Sequence, residues 1–215
     1  MSRKAKAKAK TSSDRPALLR RALALEWITV AWMSAEGAIG LWAGVTARSL
    51  SVLAFGVDSV IELISAGVLL WRLMVEIKRR ESFAEATEHA ARRIAGVLLL
   101  AVAAAVVVGA AWRLWSRTGQ SFTLAGFAVT ALAVPLMYVL ARAKLSLADA
   151  LGSRALHADA AESIACGYLA FAVCIGLLAQ LALGAWWVDA VTALAIVYFI
   201  VQEGREALAD EHDHE

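Results

Sequence analysis

Two acidic residues, Asp58 and Glu62, stand four positions apart in the apolar stretch 52–65. At about 100° per residue, positions i and i+4 lie on one face of a helix, so both carboxylates point the same way. The flanking apolar residues are numerous enough to cross a bilayer, where an ionised group costs at least about 2.5 kcal/mol. A bound cation or a proton offsets that cost most simply, so the pair predicts a cation site.

A second group of polar side chains occupies a later stretch and comprises His157, Asp159, Glu162 and Cys166. On a continuous helix, Glu162 lies about 300° and Cys166 about 340° from Asp159, so these three share one stripe about 60° wide. His157 lies about 180° from Cys166 and faces away. We expect Glu162 and Cys166 to be metal ligands with Asp159 in support, and His157 to be structural or to lie at a cytoplasmic entry.

Seven acids within the predicted spans are candidates for an interior charge, whereas Lys and Arg occur only near span ends; these acids are Glu26, Glu36, Asp58, Glu62, Asp159, Glu162 and Asp189. An ion-pair network would need interior cations, so we expect an electronegative interior that binds protons or a metal cation. Glu36 is a candidate to line the ion path or to accept a proton. Glu26 is expected to reach the membrane interface, and Asp189 to cap the last helix or complement its dipole.

The elements that must position these residues are long apolar helices. The 215-residue chain is 60% hydrophobic and 19% charged, with a mean hydropathy of +0.65, which is far from a soluble domain's balance. A helix needs about 20 residues to cross about 30 Å of hydrocarbon. The predicted fold class is therefore an all-α polytopic membrane protein with six transmembrane helices, at residues 22–46, 50–74, 94–116, 122–145, 155–183 and 185–205.

Charge divides the chain into three parts. Residues 1–21 form a basic Lys-Ala segment, expected to be a disordered cytoplasmic arm that touches anionic lipid, and no interleaved aromatic residue supports nucleic-acid binding. Residues 22–205 form the membrane domain, and residues 206–215 a short acidic, His-containing tail that either collects metal or is a solvated end. Because 18 of the 21 Lys and Arg lie on one side, the positive-inside rule predicts cytoplasmic termini, in a cell (inner) membrane.

Three motifs resemble those of the cation diffusion facilitator family. They are Ser-Val-Leu-Ala-Phe-Gly-Val-Asp-Ser-Val-Ile-Glu at 51–62, Ala-Asp-Ala at 158–160 and Trp-Trp-Val-Asp-Ala at 186–190. The six-helix plan agrees, so the resemblance covers nearly the whole chain. It implies a proton-coupled exporter of zinc, cadmium, manganese, iron or cobalt, usually a homodimer. The chain is similar to a short form without the C-terminal cytoplasmic metal-sensing domain of most members.

The resemblance also implies a tetrahedral metal site with two ligands from helix 2 and two from helix 5. In register, these positions are Asp58 and Glu62 on helix 2, and Glu162 and Cys166 on helix 5. The helix 5 pair is usually His and Asp in the family, so this chain departs from the pattern there. A thiolate from Cys166 would suit zinc or cadmium, whereas an all-oxygen site would favour manganese or another hard ion. No permanently bound cofactor is expected, and the transported metal is expected to be Zn²⁺.

Two other function classes fit the sequence less well. An intramembrane metal-dependent enzyme would carry a His-Glu-x-x-His helix, but the four histidines are scattered at 89, 157, 212 and 214. A transporter of organic cations would favour aromatic residues around its buried acids, and Phe55 alone lies near Asp58. We therefore expect a secondary active transporter and not an enzyme.

Overall fold

The computed structural model describes residues 3–79, 85–118 and 121–209, and all its regular elements are helices. The six helices are α1 (Arg3–Ala47), α2 (Leu50–Arg79), α3 (Glu85–Ser116), α4 (Leu124–Leu151), α5 (Arg154–Leu183) and α6 (Val188–Ala209). The prediction of an all-α fold with six long helices is confirmed.

Five of the six helices are long and apolar enough to cross a membrane, namely α1 to α5. Helix α6 has 22 residues, which corresponds to about 33 Å at 1.5 Å per residue. It carries Asp189, Glu203 and Arg205, whose charges lower its hydropathy. It packs against α3 and α5, which are two of the five apolar helices. The chain is thus a multi-pass membrane protein.

The two ends of the chain differ in how much of them the structure describes. The helical backbone of α1 starts at Arg3, so the basic segment is continuous with the first span. Alanine and lysine are strong helix formers, which favours this continuation. The role of the segment as a cytoplasmic arm stays a prediction. Most of the predicted acidic tail, residues 206–215, lies outside the described residues, which end at residue 209.

Helix α2 lies at the centre of the bundle and packs against α1, α3, α5 and α6. Its buried Phe55 belongs to the main apolar core, together with Met137 of α4, Leu169 of α5 and Ile196 of α6. These side chains are at most 2% exposed. The carboxylates of α2 therefore project into protein and not toward lipid.

Glycines allow the backbones of α1 and α2 to touch. A Cβ added to Gly56 would lie 2.6 Å from the backbone nitrogen of Leu41, and one added to Gly44 would lie 2.6 Å from that of Leu53. A Cβ on Gly40 would lie 2.9 Å from the Cα of Gly56. Small residues permit this approach between membrane helices. The contact brings Glu36 of α1 against α2, where its carboxylate meets Ser59.

We expect Gly56→Ala to destabilise the protein, because the added methyl meets backbone that cannot rotate away. Overpacking typically costs about 1–3 kcal/mol in free energy of unfolding. The matched control is Gly67→Ala on the same helix, where an added Cβ meets nothing within 4 Å. Alanine should stabilise that position by about 0.5–1 kcal/mol. Denaturant unfolding in detergent measures both, and equal midpoints would contradict the close packing.

A tight turn sets α4 beside α5. Gly152 ends α4 in the left-handed region, with φ 64°, and its N–H donates to the carbonyl of Ala148. Ser153 then caps α5, since its side chain accepts a hydrogen bond from the Leu156 N–H. The two helices consequently run antiparallel and pack along their length, which places Lys144 of α4 next to the first turns of α5.

Candidate metal centre

Three potential metal ligands meet where α2 packs against α5. One ligand atom each from Asp58, Glu62 and Cys166 lies within 4.8 Å of the others. Asp58 and Cys166 are fully buried, and Glu62 is 5% exposed. The helical spacing of four brings the two carboxylates to one face, and helix packing brings the thiol to them.

The four carboxylate oxygens of Asp58 and Glu62 are buried and have no hydrogen-bond partner within the described part of the chain. Two carboxylates that share a site in this way repel each other and have lost their hydration. Glu203 of α6 adds further negative charge close to Glu62. Such a site fits a cation, because a divalent ion supplies both the missing partner and the missing charge. Carboxylate oxygens and a thiolate are donors that zinc accepts.

Glu36 borders this cluster from α1. Its Oε1 accepts a hydrogen bond from Ser59 of α2 at 2.7 Å and from the thiol of Cys166 at 3.4 Å. Its Oε2 accepts one from the indole of Trp32. The side chain is fully buried. Glu36 therefore contacts the thiol of the cluster, and its role in the ion path or as a proton acceptor stays a prediction.

The structure does not place Glu162 in the three-residue cluster. It lies one turn before Cys166 on α5 and is half-buried, and its Oε1 accepts a hydrogen bond from Ser65 of α2 at 3.2 Å. Ser65 follows Glu62 by about one turn, so Glu162 lies beside the next layer of α2. Its role as fourth ligand stays a prediction.

The expectation that the interior lacks cations is wrong. Lys144 of α4 is fully buried, and its Nζ lies 2.5 Å from Oδ2 of Asp159 and 3.8 Å from Oε1 of Glu26. Asp159, expected to support the metal ligands, is instead paired with this ammonium. Glu26, expected at the membrane interface, is fully buried in the same group. Helix packing turns the α4 face that carries Lys144 inward, which overrides its position near the span end.

His157 lies away from the metal cluster, as its helical angle indicates. It is exposed at the start of α5, where its Nε2 lies 3.1 Å from Oδ1 of Asp149 and its Nδ1 lies 3.3 Å from the carbonyl of Ser153. The described structure therefore places it on the surface, at the same end of the bundle as the α4–α5 turn.

Asp189 holds the opposite end of the bundle together. Its carboxylate accepts hydrogen bonds from the hydroxyls of Ser49 and Ser51, both at 2.6 Å, and from the Leu50 N–H at 2.7 Å. It also pairs with Arg113 of α3 at 3.1 Å. Asp189 thus satisfies free N–H groups at the start of α2, the helix that carries Asp58. It starts α6 as expected but caps α2.

Two residues of these sites were missed in the sequence. Glu203 falls inside the sixth predicted span. It is far from Glu62 in the sequence, so the sequence alone gives no sign that the two carboxylates lie close together. Lys144 could have been found from periodicity. It follows Met137, Leu140 and Ala141 at helical spacing on the buried face of α4, so its side chain had to point inward.

The chain matches a known family model over most of its length. The model is described as the cation efflux transmembrane domain, and it matches residues 27–211. The matched range includes the close contact of α1 with α2, the three-residue cluster and the helix-capping aspartate of α6.

Proposed function

Because the chain belongs to the cation efflux family, we propose that it exports divalent metal ions in exchange for protons, with zinc as its preferred substrate. Members of this family are metal cation transporters and not enzymes. The observation that carries the proposal is the cluster of Asp58, Glu62 and Cys166, whose ligand atoms lie within 4.8 Å of one another.

The donor set supports zinc over harder ions. Two carboxylates and a thiolate suit zinc or cadmium, because the thiolate is a soft ligand. Zinc is usually four-coordinate, so a fourth donor completes the site, for which Glu162 is our candidate. Cadmium is the second substrate that this set would accept, whereas manganese and iron would gain little from the sulfur.

The same groups support proton exchange. Carboxylates and thiols bind metal only after they lose their protons, so metal arrival releases protons and metal departure lets them return. Glu36 touches Cys166 and receives its thiol proton in this scheme. Helices rock around the fixed site and open it to one face of the membrane at a time, as in other secondary transporters.

The proposed setting follows from charge distribution. Both termini face the cytoplasm of a cell (inner) membrane, because most Lys and Arg lie on their side. The α4–α5 turn with His157 is then the cytoplasmic end, and Arg113 with Asp189 lies at the outer end. A homodimer is the proposed assembly, by similarity to the family.

The test is metal flux into proteoliposomes that contain the full chain and two dyes, one for metal and one for pH. Zinc, cadmium, manganese and iron are supplied outside in turn. We expect zinc uptake to be accompanied by proton exit, which makes the lumen alkaline, and we expect the rate to be fastest for zinc. Metal uptake with no pH change would overturn proton coupling, and no uptake of any metal would overturn the function.

Cys166→Ser should change metal preference more than overall activity. A hydroxyl is a harder and weaker ligand than a thiolate, so we expect zinc and cadmium flux to fall at least about 10-fold while manganese flux falls less. Cys174→Ser is the matched control, because Cys174 lies two turns further along α5, outside the cluster. Equal zinc and manganese flux in Cys166→Ser and the parent would show that the thiol is not a ligand.

A further inference from the structure

A second buried group of charges lies apart from the metal cluster. It comprises Lys144 of α4, Asp159 of α5 and Glu26 of α1, all at most 6% exposed. Seven residues of α5 separate Asp159 from Cys166, which is about 10 Å along the helix axis. The group joins three helices at the proposed cytoplasmic side, and the exchange scheme above does not use it.

The ammonium of Lys144 interacts mainly with the carboxylate of Asp159. Its Nζ lies 2.5 Å from Oδ2 of Asp159 and donates to the hydroxyl of Ser163 at 3.1 Å. Its distance to Oε1 of Glu26 is 3.8 Å, beyond a hydrogen bond. One cation thus faces two carboxylates, and with all three ionised the group carries one uncompensated negative charge.

Glu26 is the carboxylate with the weaker compensation. Its side chain is fully buried, and neither oxygen has a hydrogen-bond partner within the described ranges. The charged groups that act on it are Asp159 and Glu162 of α5 and Lys144 of α4, with no charged group of α2 among them. Two of these three are negative. An ionised carboxylate in such a place is costly, and a proton removes the cost.

We propose that Glu26 is a proton-binding site separate from the metal centre and that its proton is one of those exchanged for metal. The proton is held in the O–H bond of the Glu26 carboxyl and leaves as the cytoplasmic mouth opens to water. The released charge stays beside Lys144, which limits its cost. Glu162 lies between the two sites on α5, so a charge change at one is felt at the other. The coupling role rests on the proposed function, whereas the proton site stands on the geometry of this group.

The test of the proton site is infrared spectroscopy of the full chain in lipid, metal-free, over a range of pH. The wild type should show a protonated-carboxyl stretching band that disappears at high pH, and Glu26→Gln should lack that component. Lys144→Met should move its loss to higher pH, because the neighbouring positive charge favours the ionised form. The same titrating band in Glu26→Gln and the wild type would overturn the proton site.

The coupling role is tested by proton and metal flux in proteoliposomes. Glu26→Gln should move about one proton fewer per metal ion than the parent. Thr29→Val is the matched control: Thr29 is buried three residues along α1, and its hydroxyl donates to its own helix backbone at the Leu25 carbonyl. Unchanged proton stoichiometry in Glu26→Gln would overturn the role. Wild-type metal flux without protons would instead overturn the proposed exchange, with the infrared result still deciding the proton site.

Discussion

Metal flux should fall at least about 100-fold when Asp58→Asn and Glu62→Gln are combined, because the variant loses both anionic oxygen ligands of the three-residue cluster. The amides keep the size of the side chains but supply no charge to offset a divalent cation. Asp149→Asn is the matched control, since it removes one exposed carboxylate outside the cluster. It should keep most of the flux. The readout is initial zinc uptake into proteoliposomes at matched protein content.

Stability separates a lost site from a lost fold in that double variant. The four oxygens of Asp58 and Glu62 have no described hydrogen-bond partner, so neutralising them should leave the metal-free protein at least as stable as the parent. Zinc should stabilise the parent by about 2.7 kcal/mol at 100 times its dissociation constant and should leave the variant unchanged. Zinc-dependent stabilisation of the variant, or flux equal to the parent's, would contradict the assignment of the site.

Replacing the buried ammonium should produce the largest loss of stability among single substitutions. Lys144→Met leaves Asp159 and Glu26 without their shared cation, and breaking a buried ion pair costs about 3–5 kcal/mol in free energy of unfolding. Protons can replace the missing charge, so the loss should be smaller at about pH 5 than at about pH 8. Denaturant unfolding in detergent at the two pH values measures both effects.

A neighbouring cation and a compensating change provide the controls for Lys144→Met. Arg142 lies two residues earlier on α4 and is exposed, with its guanidinium hydrogen-bonded to Tyr138 and 5.6 Å from the ring centroid. Arg142→Met should cost no more than about 1 kcal/mol. Adding Asp159→Asn to Lys144→Met should restore most of the lost stability, because the strongest uncompensated charge is removed. No recovery would mean that the ion pair is not the source of the loss.

The sequence predicted the helical architecture because that information is local. Composition and run length identify membrane helices, and a spacing of four places Asp58 and Glu62 on one face whatever the neighbours are. Cys166 was assigned to the same site from its stripe on α5, and the structure brings it within 4.8 Å of both carboxylates. The role of these three as metal ligands remains the prediction to be tested.

Lys144 shows where local reasoning failed. Its place near a predicted span end suggested that it reaches water, and its four-carbon stem makes that common. The packing of α4 against α1 and α5 instead encloses it, with Glu26 and Asp159 as partners. The sequence pattern alone therefore predicts other roles for both acids. Helical periodicity predicts that Lys144 lies on the buried face of α4. Its position near the end of the predicted span suggests the opposite, and in the structure the periodicity is the better guide.

Local sequence features are enough to identify a multi-pass all-α membrane protein with acids on particular helix faces, because hydrophobicity and helix geometry act over a few turns. Helix packing sets which acids share an ammonium, which lie together without a described hydrogen-bond partner, and which helix Asp189 caps. Local features cannot fix these contacts, because a helix can rotate about its axis and slide along its neighbours without changing its local pattern. Contacts between distant segments, such as the glycine contact of α1 with α2, fix that rotation. They therefore decide which buried carboxylates lie close enough together to bind a cation.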